Sequence, residues 1–270
     1  MTTTTKLPTY FISHGGGPWP WMDDMRAPMK GLAESLADIP RQIGVTPKAI
    51  LVISGHWEEA AYTVMASSKP PMLYDYGGFP PHTYQIHYDA PGSPALAQRV
   101  QALIEAAGLP AASDAHRGYD HGTFVPLYVM YPKADVPVVQ LSLRATFDPL
   151  EHVALGRALA PLREEGVLIV GSGLSYHNLR RLGPPAAAPS AAFDAWLQET
   201  MKAAPAERVE RLAKWESAPA ARLAHPREEH LIPLMVALGA AEDEVATCVF
   251  HEVGGFTGTV SSFRIGAAPG

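Results

Sequence analysis

The sequence predicts a single α/β domain in which helices flank a central, largely parallel or mixed sheet. The prediction depends on apolar runs that stop abruptly at polar loops, on helical patterns between those runs, and on a length suited to one large domain. The runs lie at 10–12, 49–54 and 167–170, and glycine and histidine follow each of them closely. Continuous apolar strands of this kind are buried on both faces, as in parallel sheets that helices cover.

Helical segments alternate with these strands along the chain. Ser93 and Pro94 provide a helix start, and an apolar stripe follows them at 96–104. A second helix is predicted from about 149 to 165, and a strand at 136–143 lies between the two helices. The order strand, helix, strand, helix, strand indicates βαβ units and therefore parallel pairing.

The rest of the chain is predicted to complete the same single domain, which spans 1–270. The stretch 184–221 is rich in alanine and proline, and we interpret it as an insertion of two short amphipathic helices. A further helix is predicted over 228–238. Two late strands, near 246–251 and 258–265, complete the sheet.

Composition excludes several classes of protein. The chain has 270 residues, with 47% hydrophobic residues, 18% charged residues and no long uncharged apolar run, which argues against disorder and against a membrane span. A formal net charge of -6 provides no basic field for nucleic acid. The lone Cys248, together with an opening segment that lacks the apolar core of a signal peptide, predicts a cytoplasmic protein. A homodimer is compatible with a chain of this size.

Three histidines follow strands of the predicted sheet. His14, His56 and His177 come after the first, second and a later strand, each beside glycine-containing loops. The carboxyl ends of parallel strands meet at one edge, where open α/β sheets bind their ligands. Imidazole nitrogen is a preferred ligand of iron, zinc, copper and nickel. The sequence therefore predicts a metal site at this edge, although each histidine taken singly also fits a loop residue bonded to the backbone.

Other side chains adjoin these candidate ligands. His121 follows Asp120 at the start of a predicted helix over 123–130, where it faces the same edge. Trp19 and Trp57 flank the candidate ligands, and aromatic surfaces there suit a flat organic substrate, with ordinary packing as the alternative.

The segment before the late helix offers a further metal ligand. His225 precedes a proline, and His230 lies in the predicted first turns, so either is a candidate. Glu228 and Glu229 are interpreted as acids favoured by the helix N-terminus, with a carboxylate ligand as the alternative.

Motifs along nearly the whole chain occur in the order found in a known enzyme family. They are FISHG at 11–15, SGHWE at 54–58, DHG at 120–122, VVQLSL at 138–143, GSG leading to HNLR at 171–180, and HP leading to a second histidine at 225–230. With these motifs the chain resembles the class III extradiol ring-cleavage dioxygenases, in the branch similar to the DOPA-4,5-dioxygenases.

The resemblance implies a non-haem Fe(II) enzyme that opens a catechol ring beside its hydroxyl groups with O2 and yields a semialdehyde. Zinc often occupies the same site in this family. The resemblance also implies that His14 and His56 bind the metal, with His230 and His177 as the remaining candidates. Better-known members use two histidines and a glutamate, and the residue matching His177 is their base. Because His230 stands at the position of that glutamate, it stays open whether His177 binds metal, moves protons or does both.

Within this chemistry each remaining candidate has an expected role. A catechol must lose a proton to a base that works near neutral pH, and we assign His177 to that step. His121 is expected to donate a hydrogen bond to the developing oxygen charge. Trp19, Trp57 and His225 are expected to contact the substrate. DOPA and small or alkyl-bearing catechols both remain candidate substrates, because the segment at 16–22 is bulkier than the turn associated with the DOPA branch.

Two other functions are compatible with the same residues. A zinc hydrolase needs only three ligands, a zinc-bound water and a base. A non-catalytic metal-binding protein would keep the ligands, but it has no use for an additional acid-base group such as His121.

Overall fold

An eight-stranded sheet forms the centre of the computed structural model, which describes residues 6–255 and 258–267. The strands are β1 Thr9–Ser13, β2 Ala49–Glu59, β3 Tyr62–Met65, β4 Ala111–Asp114, β5 Val138–Arg144, β6 Val167–Gly173, β7 Ala246–Gly255 and β8 Gly258–Ile265. The α-helices are α1 Asp23–Arg26, α2 Lys30–Ile43, α3 Pro94–Ala106, α4 His121–Met130, α5 Pro149–Leu159, α6 Pro184–Lys202, α7 Pro205–Ala213, α8 Ala221–Ala224 and α9 Ile232–Gly239.

The sheet is mixed, with a parallel centre. Its spatial order is β4-β3-β5-β2-β6-β1-β8-β7, and β5, β2, β6 and β1 are parallel neighbours. The hairpin of β7 and β8 extends one edge in antiparallel fashion, while the parallel pair β3 and β4 joins β5 antiparallel at the other. The predicted α/β fold with a largely parallel or mixed sheet is confirmed.

Helices cover both faces of this sheet. Successive side chains of a strand point to opposite faces, so their partners identify the covering layers. On β1, the Thr9 hydroxyl donates to the Ala237 carbonyl of α9 at 2.7 Å. Thr9 pairs with Ile169 of β6, whereas Ser172 of β6 points to the other face and donates to the Gly122 carbonyl of α4. The central strands are thus buried on both sides, as their uninterrupted apolar sequences predict.

Side-chain caps define the starts of three helices. The side chains of Ser93, Asp120 and Asp148 accept hydrogen bonds from the first-turn backbone N–H groups of α3, α4 and α5. Such caps satisfy donors that have no partner inside the helix. The predicted helices from Pro94 and from Pro149 are confirmed, the latter continuing as a 3-10 helix over Ala160–Arg163.

Three predicted boundaries were wrong. The second strand does not stop at Ser54, because β2 continues through an irregularity to Glu59. Helix α9 begins at Ile232 instead of 228, since the His230 carbonyl pairs with the Leu174 N–H at the end of β6 and is unavailable to a helix. The third concerns α6, which is a single helix of 19 residues instead of a short one.

Helix α6 is long because it has a buried stripe. Phe193, Leu197 and Met201 recur at every fourth position and are buried, and the helix packs on β8. This burial offsets the interruption by Pro189 within the helix. Over residues 6–255 and 258–267, no helix is both long and apolar enough to cross a membrane.

Candidate active site

Five histidines meet at the carboxyl edge of the sheet. His14 follows β1, His56 lies in the extension of β2, His121 opens α4, His177 follows β6, and His230 precedes α9. All five line one cavity of about 590 Å³. The structure therefore brings together the histidines that the sequence placed at strand ends and at helix starts.

The nitrogen atoms of three of them lie at metal-ligand spacing. Nε2 of His56 lies 3.3 Å from Nε2 of His14 and 3.2 Å from Nε2 of His230. Nitrogen ligands at 2.0–2.1 Å from one metal, at tetrahedral angles, are separated by about 3.3 Å. Two separate sets of side chains could hold an ion among the described residues: His14 with His56 and His121, and His177 with Glu229 and His230.

The hydrogen bonds of these three histidines leave Nε2 free. Nδ1 of His14 donates to the Gly15 carbonyl at 2.8 Å, and Nδ1 of His230 donates to Oε1 of Glu229 at 2.9 Å. Nδ1 of His56 faces Oδ2 of Asp75 at 3.4 Å. Because each Nδ1 faces an acceptor, we assign the proton to it, which leaves the Nε2 lone pair of His56 facing the Nε2 atoms of His14 and His230. Lone pairs at this spacing repel, and a cation between them removes the repulsion.

Burial keeps the three rings neutral. Desolvation, followed by the charges of neighbouring histidines, holds the pKa of His14 and of His230 well below the ordinary value. Desolvation and the same kind of repulsion lower the pKa of His56. A neutral imidazole is the form that binds metal, so the donor set fits a resident divalent cation.

Tight backbone contacts hold His14 and His230 in place. The His14 N–H donates to the Gly173 carbonyl at 3.2 Å, so β6 fixes the residue that follows β1. A Cβ atom at Gly173 would collide with the His230 carbonyl oxygen, which explains the glycine at the end of β6. Gly15 has φ +78°, and a Cβ there would lie 2.5 Å from Nε1 of Trp19. Glycine at both positions lets the ligand segments approach closely.

Two carboxylates orient the histidines from behind. Oδ1 of Asp75 accepts from Nδ1 of His121 at 2.8 Å, and its other oxygen faces His56. Oε1 of Glu229 accepts from Nδ1 of His230 and from Nδ1 of His177 at 3.0 Å. Burial pushes the pKa of Asp75 up, but hydrogen bonds and charge from the histidines bring it below its ordinary value. Such carboxylate–histidine pairs fix ring tautomer and orientation.

The start of α4 places His121. Asp120 is fully buried and accepts from the Thr123 N–H at 3.1 Å, from the Ser54 hydroxyl at 2.8 Å and from Arg117 at 2.9 Å. Burial raises the pKa of Asp120, while Arg117 and the Ser54 hydrogen bond oppose that rise. This network ties the helix start to β2, next to His56.

His177 lies directly on a candidate ligand. Its ring stacks on His230 with 3.4 Å between the ring centroids. Its backbone N–H donates to the Ala224 carbonyl at 3.0 Å, which fixes the loop after β6. With Nδ1 donating to Glu229, Nε2 of His177 has a lone pair available to the cavity.

Comparison with known proteins identifies the family. Residues 8–261 match the family model described as the catalytic LigB subunit of aromatic ring-opening dioxygenase. The chain belongs to this family. It is an extradiol dioxygenase, and metal dependence is a property of the family.

Individual relatives agree with this identification. A protein from Beta vulgaris named 4,5-DOPA dioxygenase extradiol is 44% identical over 248 residues, covering 90% of each chain. A protein from Hapsidospora irregularis named dioxygenase tasH is 38% identical over 88% of this chain and 79% of its own. A crystal structure of an uncharacterized protein from Escherichia coli K12 superposes with a TM-score of 0.76 at 31% identity, covering 96% of this chain and 100% of that one.

Three residues expected to contact substrate in this dioxygenase do not line the cavity. Trp19 is buried, and its indole N–H donates to the His14 carbonyl at 2.9 Å, so it supports the ligand loop from below. Trp57 is also buried, and its indole N–H donates to Oε1 of Glu59 at 2.9 Å. The sequence pattern could not show this placement, because it does not determine side-chain direction in a loop or past an irregular strand.

His225 is the third residue that was expected to contact substrate and does not line the cavity. It is fully buried, with Nε2 facing the Ser175 carbonyl at 3.0 Å and its ring packed edge-on against Phe193 and Trp215. Burial lowers the pKa of His225 to about 3. It therefore stabilises the loop after β6 from behind, and only His230 of the two candidates reaches the cavity.

Asp75 carries no sequence signal of its role, and the sequence signal for Glu229 is ambiguous. Asp75 lies in an irregular segment after β3, and no local pattern distinguishes it from other loop acids. Glu229 is adjacent to His230 and was interpreted as a helix-start acid. Its adjacency to a candidate ligand was the available signal.

The remaining walls of the dioxygenase cavity are mostly apolar. The apolar and aromatic side chains that line it are Met25, Tyr76, Phe79, Leu174, Tyr176, Leu179 and Leu182. Arg227 also lines it and is paired with Glu58. A planar aromatic ring fits such walls.

Proposed function

We propose that this extradiol dioxygenase uses Fe(II) to insert both atoms of O2 into a small catechol, DOPA or a related compound, giving a ring-opened semialdehyde. The observation that carries the proposal is the convergence of three neutral Nε2 atoms, spaced 3.2 and 3.3 Å apart, at one end of an apolar cavity. Relatives named 4,5-DOPA dioxygenase extradiol support a catechol substrate.

His14, His56 and His230 would hold the metal in this proposal. Fe(II) at this position supplies a chelation point for both catechol oxygens and an open site for O2. The carboxylates of Asp75 and Glu229 keep the ligand rings oriented: Oδ2 of Asp75 faces Nδ1 of His56, and Oε1 of Glu229 accepts from Nδ1 of His230. Glu229 acts as a positioning residue, because its Oε1 atom is already engaged by two imidazoles.

His177 would be the base in this proposal. Its Nδ1 proton is directed at Glu229, so Nε2 is the atom that accepts a proton from the catechol hydroxyl. The Glu229 carboxylate then stabilises the imidazolium that forms. Stacking on His230 holds the His177 ring beside the metal ligands.

His121 would stabilise the charge that develops on oxygen. Its ring centroid lies 3.9 Å from that of His56, so it borders the same end of the cavity. Because Nδ1 donates to Asp75, Nε2 donates a hydrogen bond only when the ring is protonated. The Asp75 carboxylate stabilises that form, and a donor there favours the transition state over the substrate complex.

Family membership and the two acid-base histidines favour this function over a zinc hydrolase or a non-catalytic metal-binding protein. The proposal includes a cytoplasmic location and is compatible with a homodimer.

The test compares metals in one protein. Anaerobically reconstituted Fe(II) protein is expected to consume O2 with DOPA, caffeate or protocatechuate, while the Zn(II) protein, matched in metal content, consumes none. Equal activity with both metals, or hydrolysis of ester substrates by the zinc form alone, would reject the role of iron.

A further inference from the structure

A second cavity adjoins the catalytic one. Its volume is about 380 Å³, and we call it the annex; its lining consists of Ser13, Gly15, Asp24, Met25, Pro28, Met29, Leu32, Leu174, Phe250, Glu252 and Val260. Gly15, Met25 and Leu174 line both cavities, so these residues form the boundary between them. Ser13 and Gly15 are the chain neighbours of His14, which places the annex beside the metal-binding end.

The annex is built for an apolar group. Met29, Leu32, Phe250 and Val260 line it without lining the catalytic cavity. An apolar cavity of roughly 150 Å³ holds a benzene molecule, so the annex has room for a six-carbon chain or a ring. Met25 at the boundary is unbranched and flexible, and such a side chain moves aside at little cost.

The charge of the annex limits the group further. Its two titratable residues are acids, Asp24 and Glu252. Burial raises the pKa of Glu252, so this carboxyl is poorly solvated. An anionic chain would be repelled by these acids, while an uncharged chain would meet the apolar wall.

We propose that the annex binds the ring substituent of the substrate, and that this substituent is an uncharged alkyl or aryl chain of about four to six carbons. The inference rests on the proposed function, because it takes the catechol ring to lie at the histidine end. Among the small catechols of the proposed function, the enzyme would therefore turn over alkylcatechols more efficiently than DOPA and other catechols with a short or carboxylated side chain.

The first experiment uses the Fe(II) holoenzyme with 4-methyl-, 4-butyl- and 4-hexylcatechol. Each buried methylene favours binding about threefold to fourfold, so kcat/KM for 4-butylcatechol is expected to exceed that for 4-methylcatechol by about 30-fold to 60-fold. Calorimetric titration without O2 gives the same ratio as a difference in Kd, independent of turnover. At equal length, a chain that ends in a carboxylate is expected to bind at least about tenfold more weakly.

Substitutions in the annex test whether the dependence of kcat/KM on chain length arises there. Val260→Phe fills the annex and is expected to reduce the butyl-to-methyl ratio to less than about threefold. Val253→Phe adds the same bulk on the neighbouring strand, where Val253 is 72% exposed and lines neither cavity, and it is expected to keep the wild-type ratio. Met29→Trp is a second filling variant at a half-buried position, in case Val260→Phe does not fold.

The outcomes separate the two proposals. If the wild-type enzyme turns over 4-methylcatechol but shows no dependence on chain length in kcat/KM or Kd, the annex does not bind the ring substituent. That result would not affect the proposed dioxygenase function. A metal-loaded protein that turns over no catechol overturns the proposed function, and the calorimetric series still decides whether the annex binds alkyl chains. If the folded Val260→Phe and Met29→Trp variants keep the wild-type butyl-to-methyl ratio of kcat/KM, the annex likewise does not bind the ring substituent.

Discussion

His177 and His230 lie ring against ring, with 3.4 Å between their centroids and 23° between their planes. Their Nδ1 atoms face the same oxygen, Oε1 of Glu229, at 3.0 and 2.9 Å. The proposed base and a proposed ligand therefore share one hydrogen-bond acceptor, and their ring planes are nearly parallel. A change at this carboxylate is expected to affect metal binding and proton transfer together.

Replacing Glu229 by glutamine tests this coupling. The amide is isosteric but lacks the negative charge that holds both Nδ1 protons, so Fe(II) affinity is expected to fall about 10-fold to 100-fold. Metal titration of the apoprotein measures the change. Glu228→Gln is the matched control, since Glu228 pairs with Arg222 at 2.6 Å and does not line the cavity. Equal metal affinity in the two variants would contradict the positioning role.

Replacing His177 by alanine separates the base from the ligands. Loss of a positioned base is expected to lower kcat about 10²-fold to 10⁴-fold, with bound iron unchanged. Oxygen uptake and metal analysis of the same sample provide both measurements, and exposed His116→Ala is the control. Unchanged oxygen uptake would reject the base assignment. Loss of iron would instead make His177 a ligand.

Replacing His121 by phenylalanine removes the proposed donor while keeping a ring in place. Because the donor acts on charge that develops during the reaction, kcat is expected to fall about 10²-fold to 10³-fold with little change in catechol Kd. Steady-state kinetics and anaerobic binding measure the two quantities. A large rise in Kd with unchanged kcat would show that His121 binds substrate instead.

His152, remote from the cavity, is expected to make the stability of the protein depend on pH. Burial lowers the pKa of His152 to about 4, and its Nε2 accepts the Arg144 backbone N–H at 3.1 Å, so protonation would break that bond. The unfolded chain takes up this proton below about pH 6.5. The free energy of unfolding is therefore expected to decrease as the pH falls from about 6.5 to about 4, by up to about 1.4 kcal/mol for each pH unit.

Urea unfolding of the apoprotein at several pH values measures this contribution. His152→Gln removes the titrating ring and is expected to flatten the dependence relative to the wild type. The other buried histidines titrate in both proteins, so the difference isolates His152. If the free energy of unfolding depends on pH in the same way in both proteins, His152 does not contribute to that dependence.

Local sequence predicted the parts of the fold and the site that depend on local physics. Strands β1, β2 and β6 are recognisable because strands covered on both faces need uninterrupted apolar residues. Their histidines converge because parallel strands end at one edge. The cap at Ser93 also acts within a few residues of sequence.

Features that depend on contacts between distant segments of the chain were not predictable from local sequence. Asp75 meets His121 across 46 positions of sequence, from a segment without periodicity. Strands β3 and β4 have four residues each, too few for a periodic signal. Trp19 and His225 are close to ligands in sequence, but their direction depends on the partners that bury them.

The stoichiometry of the reaction shows whether the iron form of this protein opens catechols by extradiol insertion of O2. Fe(II) protein in a sealed oxygen electrode, with a limiting amount of catechol and no added electron donor, is expected to consume one O2 for each catechol and to form a yellow ring-opened product. Extradiol insertion requires this ratio, because both oxygen atoms enter the ring-opened acid. Catechol left intact at full iron occupancy, or its conversion to a quinone with release of hydrogen peroxide, would contradict the account.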